Sequence, residues 1–145
     1  MSAHIIVGVD GSDDSINAYR WALDEAKVRN AEVTAIFAWE LPMIGIPGAF
    51  DRDELEAEGM KFLNDQLGGQ PNGNGVTVHR VVAQGDPSTS LIEACRRTDA
   101  EMLVLGSRGR GGFGGLLLGS VGQECASHAP CPVLICRAGG ETPSS

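Results

Sequence analysis

The sequence predicts a single doubly wound α/β domain, in which a five-stranded parallel sheet carries helices on both faces. Five short apolar runs alternate with four helical patterns along the chain. The runs are almost continuous in apolar residues, which is typical of parallel strands that are covered by helices on both sides. The length of 145 residues, with 42% hydrophobic and 21% charged residues, suits one domain with one sizeable core.

The first half of the chain contains two predicted strands and two predicted helices. Ile5 to Val9 is a β-branched run, and Ala31 to Trp39 is the second apolar run. The helix between them has apolar residues three or four positions apart, which indicates one buried face: Ile16, Tyr19, Leu23 and Ala26. After a loop that is rich in proline and glycine, the second helix has its apolar side at Leu55, Gly59, Phe62 and Leu63.

The second half continues the alternation after a glycine-rich turn at 68–75. The remaining strands are predicted at 76–83, 102–105 and 132–136. Asp86 is the expected N-cap of the third helix, with Pro87 in its first turn, where the missing N–H costs nothing. The fourth helix is expected from Ser120, as a possible N-cap, to about Ala129. We expect residues 1–137 to form the domain and 138–145 to be a disordered tail.

Five strands connected in this way usually take the order 3-2-1-4-5 or 2-1-3-4-5, and the pattern alone does not separate the two. In the first order, strands 1 and 4 are neighbours and the winding reverses between them. Ligands bind at such a reversal, beyond the carboxyl ends of the strands. The segments expected there are Asp10-Gly11-Ser12 and the loop that starts at Gly106.

Charge and composition exclude several classes of protein. The net charge of −8 argues against a general nucleic-acid binder or a protein that binds anionic membranes. The four cysteines form no CxxC pair, and no apolar run is long enough for a signal peptide or a membrane span. A soluble cytoplasmic protein with reduced thiols is therefore expected. His4, His79 and His128 are far apart in the sequence, so we expect neither a metal site nor a catalytic base among them.

The main functional feature is a glycine-rich loop between the fourth strand and the fourth helix. Eight of the 20 glycines lie between positions 106 and 122, and the only charged residues from 102 to 123 are Arg108 and Arg110. Glycines let backbone N–H groups approach an oxyanion, and Gly119-Ser120 lies at the positive end of a helix. The loop therefore predicts an anion site, and a phosphate is the ligand it suits best.

Two common phosphate motifs do not explain this loop. Residues 114–120 have the glycine spacing of a P-loop but lack its lysine. Gly109, Gly111 and Gly114 match the dinucleotide fingerprint by letters, but they follow the fourth strand, and Leu134 stands where the acidic ribose partner is expected. A Walker-type NTPase and a Rossmann dinucleotide site are both disfavoured.

A third spacing fits: Gly106-x-x-Gly109, then nine residues, then Gly119-Ser120. With the start Gly8-Val9-Asp10-Gly11-Ser12, the segment Gly85-Asp86-Pro87 and the end Pro132-Val133-Leu134-Ile135, it resembles the ATP-binding branch of the universal stress protein family. The resemblance runs from Ile5 to Arg137. It implies an adenine nucleotide alpha hydrolase-like fold of strand order 3-2-1-4-5, ATP held between strands 1 and 4, and a homodimer.

The resemblance also implies roles for single residues. Asp10 is expected at the ribose or at a phosphate-bound Mg or Mn ion, and Ala38 is expected to bind the adenine edge through its backbone. Gly106 and Gly109 would let the ribose and phosphates approach closely. The other implied nucleotide-site positions are Gly8, Ser107, Arg108, Arg110, Gly119, Ser120 and Val121.

The expected function is therefore that of an ATP-binding sensor or regulator in a stress response, in which hydrolysis is slow or absent because the loop offers no evident base. The alternatives are a slow ATPase or phosphotransferase and an interaction module that binds no nucleotide. The fifth strand would be an edge of the sheet, and its apolar residues Val133, Leu134 and Ile135 predict pairing with a second copy.

Overall fold

The computed structural model describes residues 3–40, 51–68, 75–108 and 118–137. The elements alternate as the sequence predicts, with five strands and four helices in this part of the chain. In chain order they are β1 (Ala3–Gly8), α1 (Asp13–Arg29), β2 (Ala31–Trp39), α2 (Arg52–Gly68), β3 (Val78–Gln84), α3 (Pro87–Thr98), β4 (Met102–Gly106), α4 (Ser120–His128) and β5 (Val133–Cys136). The predicted disordered tail lies outside the described residues.

The five strands form one parallel sheet in the order β3-β2-β1-β4-β5. This order decides between the two alternatives that the pattern left open, and it is the one that the resemblance implies. Val7 in the middle of β1 is in register with Ala35 of β2 and with Val104 of β4. β1 and β4 are therefore neighbours, and the winding of the chain reverses between them.

The sheet separates two apolar cores. One core packs α1 and α2 against one face of the sheet, through Tyr19 and Leu63 among others. The other core lies on the opposite face, where Ile6 of β1, Leu91 of α3 and Cys125 of α4 belong to one buried cluster. Both faces of the central strands are therefore covered, which explains why these strands are continuous apolar runs.

Two local predictions need correction. Ile16 is only half-buried, because the buried stripe of α1 is rotated to include Asp14 and Ser15. Ser120 is not the N-cap of α4: Gly119 has the extended backbone of the cap, and Ser120 is already the first helical residue. In contrast, Asp86 caps α3 as predicted, and its side chain accepts a hydrogen bond from the Thr89 N–H.

No helix among the described residues is both long and apolar enough to cross a membrane.

Candidate functional site

The carboxyl ends of β1, β2 and β4 meet at one edge of the sheet. The turn after β1 contains Asp10, and the segment after β4 starts at Ser107. Because the winding reverses between β1 and β4, the two connections leave toward opposite faces and a crevice opens between them. The predicted ligand segments are thus brought to one place by the topology alone.

The Asp10 turn is fixed by its own hydrogen bonds. Asp10 Oδ1 accepts bonds from the Ser12 N–H at 2.9 Å and from the Ser12 hydroxyl at 2.5 Å. Ser12 is in turn the N-cap of α1, since its Oγ accepts a bond from the Ser15 N–H at 3.1 Å. This network holds the half-buried Asp10 carboxylate at the carboxyl end of β1.

Ala38 lies near the end of β2, beyond the point where the neighbouring strand β1 ends. The Val9 N–H donates to the Ile36 oxygen, so the backbone groups of Ile36 point toward β1. The Trp39 oxygen accepts from Gly85 beyond β3, so the groups of Trp39 point the other way. Backbone groups alternate in direction along a strand, so the N–H and C=O of Ala38 point toward the β1 side, like those of Ile36. β1 ends before it reaches Ala38. The N–H and C=O of Ala38 therefore face a position where a planar hydrogen-bonding group could pair with them.

The loop after β4 is closed at its base by Ser107. The Ser107 N–H donates to the Cys136 oxygen at 2.7 Å, and the Ser107 oxygen accepts from the Gly119 N–H at 2.6 Å. Residues 107 and 119 therefore lie side by side, although eleven positions separate them in the sequence. This contact places the start of α4 at the carboxyl end of β4, the strand that neighbours β1.

The start of α4 differs from the starts of α1 and α3. The first N–H groups of any helix have no partner within the helix. In α1 and α3 side chains cap them, but Gly119 provides no side-chain cap for α4, and the first turn of α4 contains no acidic residue. The positive end of α4 is therefore suited to an anion that comes from outside the chain.

Gly106 and Gly8 at the site leave little room for a side chain, so close packing alone accounts for glycine at these positions. A Cβ on Gly106 would lie 2.7 Å from Asp14 Cβ and 2.9 Å from the Ser15 nitrogen. A Cβ on Gly8 would lie 3.0 Å from a methyl group of Leu105 and 3.1 Å from one of Leu91. The space that Gly106 leaves is thus filled by the first turn of α1, while a role for either glycine in ligand binding stays a prediction.

The structure brings most of the predicted site residues to this edge of the sheet. These are Gly8, Asp10, Ala38, Gly106, Ser107, Arg108, Gly119, Ser120 and Val121. Gly109 and Arg110 lie outside the described residues. Asp14 was missed by the sequence analysis: its carboxylate accepts bonds from Ser107 Oγ at 2.7 Å and from the Arg108 N–H at 3.1 Å. Asp14 lies four residues before Ala18, on the same buried face of α1, and this spacing is the signal that could have indicated its burial.

Two histidines lie near the amino ends of β1 and β3. His4 and His79 are far apart in the sequence, but their rings stack with centroids 6.0 Å apart, and His79 Nε2 is 3.0 Å from Glu32 Oε1. Burial lowers the pKa of His4. Within the ranges that the structure describes, no group of three or more His, Cys, Asp or Glu residues has the geometry to hold a metal ion.

The four cysteines are free thiols on the two faces of the sheet. Cys136 belongs to one core, while Cys95, Cys125 and Cys131 pack together in the other. Cys131 and Cys136 are therefore on opposite faces of the sheet. Burial raises the pKa of Cys125 and of Cys136 to about 11.

The fold and the site together define a doubly wound α/β domain with a glycine-rich sequence segment after β4, at its switch point. Residues 1–137 match the model of the Universal stress protein family, and this chain belongs to that family. It is 38% identical over 137 residues to Universal stress protein Rv2623 of Mycobacterium tuberculosis, a match that covers 93% of this chain and 45% of that protein. The chain thus spans less than half the length of that curated relative.

Solved structures support the same fold. The hypothetical protein MJ0577 superposes with a TM-score of 0.81 at 18% identity, over 97% of this chain and 99% of that chain. A universal stress protein in complex with cAMP superposes with a TM-score of 0.66 at 25% identity, over 94% of this chain and 97% of that chain.

Proposed function

We propose that this chain is an ATP-binding universal stress protein that acts as a nucleotide-dependent sensor or regulator in the stress response. The observation that carries the proposal is the start of α4. Its N-cap residue, Gly119, has no side chain to cap it, and the Gly119–Ser107 hydrogen bond holds it at the carboxyl end of β4. A phosphate chain at this position would accept hydrogen bonds from the N–H groups of Ser120 and Val121 and from the Ser120 hydroxyl.

The rest of a nucleotide fits the same edge of the sheet. The N–H and C=O of Ala38 offer one donor and one acceptor on one side of a strand, which is the pattern that an adenine edge complements. Asp10 lies between this strand end and the loop, where it would meet the ribose or a phosphate-bound Mg or Mn ion. The family structure in complex with cAMP supports a nucleotide of the adenine class.

The hydrogen bonds of the carboxylates at the site favour a protein that binds ATP over one that hydrolyses it. Hydrolysis needs a base that positions a water molecule at the γ-phosphate. Among the described residues of this edge, Asp10 is bonded to Ser12, and Asp14 is bonded to Ser107 and Arg108. Both carboxylates thus serve the architecture of the site, and we expect ATP hydrolysis to be slow or absent.

The proposal is tested by the nucleotide that the protein carries. The purified chain is denatured, and released adenine nucleotide is identified by chromatography and mass spectrometry. The emptied protein is then titrated with ATP and Mg²⁺ while its melting temperature is followed. At a free ATP concentration of about 100 times Kd, bound ATP should add roughly 2.7 kcal/mol to the free energy of unfolding.

Two variants locate the site. Ala38→Pro removes one N–H that points toward the vacated side of β2, and since β1 has turned away there, the change breaks no bond between β1 and β2. Asp10→Asn removes the charge and keeps an acceptor for Ser12, with the exposed neighbour Asp13→Asn as the matched control. Both site variants should lose most of the ATP-induced shift, and the control should keep it. If both keep it, the site is elsewhere.

We further propose that the chain forms a homodimer through β5, which is an edge of the sheet. The oxygens of Pro132 and Cys136 accept bonds from β4, so the even-numbered residues of β5 face β4. The backbone groups of Val133 and Ile135 therefore point outward. An unpaired apolar edge strand favours association with a second copy.

The dimer is tested by light scattering coupled to size exclusion. Ile135→Pro removes one outward N–H, whereas Ile135→Ala trims the same side chain and keeps the N–H. The wild-type chain and Ile135→Ala should have the mass of a dimer, and Ile135→Pro that of a monomer. A monomeric wild type, or a dimeric Ile135→Pro variant, would rule out pairing through this edge.

A further inference from the structure

Asp14 is a buried carboxylate that neither the sequence motif nor the proposed nucleotide contacts explain. It lies in the first turn of α1 with 7% of its surface exposed, and among the described residues it is the one charged side chain in the buried class. Burial of an ionised carboxylate is unfavourable unless donors compensate for the lost water. The partners of Asp14 therefore indicate what the residue is for.

These partners are the first two residues of the glycine-rich loop. Asp14 Oδ2 accepts from the Ser107 hydroxyl at 2.7 Å and from the Arg108 N–H at 3.1 Å, across 93 and 94 positions of sequence. Ser107 is itself 3% exposed. Hydrogen bonds to an ionised acceptor are shorter and stronger than neutral ones, so this pair fixes where the loop leaves the sheet.

Ser107 connects this position to the start of α4. Its hydroxyl is bonded to Asp14, its N–H to Cys136 and its oxygen to Gly119. It thereby ties α1, β5 and the start of α4 to one residue. Displacement of Ser107 would move Gly119, and with it the N–H groups at the start of α4.

The opposite side of Asp14 is fixed as well. Gly106 packs against the Asp14 backbone so closely that a Cβ there would lie 2.8 Å from the Asp14 carbonyl carbon. Asp14 is also two residues beyond Ser12, which is bonded to Asp10. Asp14 therefore connects the Asp10 turn to the loop after β4, and these are the two halves of the proposed nucleotide site.

We infer that Asp14 is a positioning residue for the phosphate part of the nucleotide. Its carboxylate does not contact the ligand. It holds Ser107 and the Arg108 backbone, and through Ser107 the start of α4, in the geometry that receives phosphate. This inference rests on the proposed function. It separates the two ends of the ligand, because the Ala38 edge that would bind adenine has no part in this network.

The test compares ATP with adenosine, which lacks the phosphates, by calorimetric titration of the nucleotide-free full chain. Asp14→Ala should weaken ATP binding about tenfold, the effect of losing one or two charge-assisted hydrogen bonds, and leave adenosine binding within about twofold. Asp14→Asn keeps an acceptor for the Arg108 N–H and should restore part of the affinity. Asp13→Ala removes the same charge from an exposed position of the same turn and should change neither ligand.

A double-mutant cycle with Ser107→Ala provides a second measurement, which stands even if Asp14→Ala folds poorly. If the two side chains act as one unit, the Asp14→Asn/Ser107→Ala variant should bind ATP no more weakly than Ser107→Ala alone. Equal losses for ATP and adenosine would indicate general destabilisation and overturn the inference, as would unchanged ATP affinity in both Asp14 variants. A wild-type chain that binds neither ligand would instead refute the proposed function.

Discussion

Replacement of Gly106 by alanine tests the architecture of the site without any nucleotide. The new Cβ would lie 2.7 Å from Asp14 Cβ, 2.8 Å from the Asp14 carbonyl carbon and 2.9 Å from the Ser15 nitrogen. Two of these three atoms belong to the backbone of α1, so no change of rotamer relieves the overlap. The first turn of α1 and the end of β4 must therefore move apart.

The cost follows from what such a movement disturbs. Overpacking of a well-packed interior usually costs about 1–3 kcal/mol, and separation of these elements also stretches the Asp14–Ser107 hydrogen bond. We expect Gly106→Ala to lower the free energy of unfolding by about 2 kcal/mol, and the melting temperature by roughly 4–8 °C for a domain of this size.

The assay is urea unfolding of the nucleotide-free protein, followed by circular dichroism, with two glycines as controls. Gly68 at the end of α2 has no atom within 4 Å of an added Cβ, so Gly68→Ala should change stability by less than about 0.5 kcal/mol. Gly8 would meet only the ends of the Leu105 and Leu91 side chains, which can adjust, so Gly8→Ala should lie between the two. The reasoning fails if Gly106→Ala is no less stable than Gly68→Ala.

Three further predictions concern groups outside the proposed ligand contacts. Burial lowers the pKa of His4 below its ordinary value of 6.5, so the unfolded chain takes up a proton at a higher pH than the folded chain does. The free energy of unfolding should therefore decrease as the pH falls below about 6.5. In melting scans from pH 7.5 to 5, the melting temperature of His4→Gln should decrease less than that of the wild type. Asp86→Ala should cost about 1 kcal/mol in urea unfolding because α3 loses its N-cap, and Asp86→Asn should recover most of it. Burial raises the pKa of Cys131, and it raises the pKa of Cys125 and of Cys136 to about 11. Iodoacetamide at pH 7.5 should therefore modify the native chain slowly and Cys131 first, and it should modify all four cysteines only after unfolding. Fast labelling of Cys125 in the native chain would contradict this prediction.

The fold was predictable because its pattern is local and repeated. Each strand is an apolar run such as Ile5–Val7, and each helix shows a face such as Tyr19, Leu23 and Ala26, so the alternation required no knowledge of contacts. The strand order is different in kind. The two orders differ in whether β3 pairs with β2, as it does here, or with β1, and that choice left no mark in the pattern of the strands.

The site was predictable in its segments and less so in its connections. The glycine spacing located Gly106 and Gly119, but the bond that joins Ser107 to Gly119 is a property of the folded chain. Asp14 was missed because an acidic residue in the first turn of a helix is normally a solvated charge that favours the helix dipole. Its donors lie 93 and 94 residues away, where no local pattern can indicate them.

The proposed site has to bind an anion in a chain of net charge −8, and the two helix starts at the switch point differ in how they would meet that anion. α1 begins with a Ser12 cap and with Asp13 and Asp14 in its first turn, so its positive end is neutralised by its own side chains. α4 begins at Ser120, its N-cap Gly119 offers no side chain, and its first turn contains no acidic residue. The Asp14 carboxylate is engaged by the Ser107 hydroxyl and the Arg108 N–H, so it does not cap the first N–H groups of α4. In the proposed nucleotide site, the attraction would therefore come from backbone N–H groups at short range, against the overall negative charge of the protein.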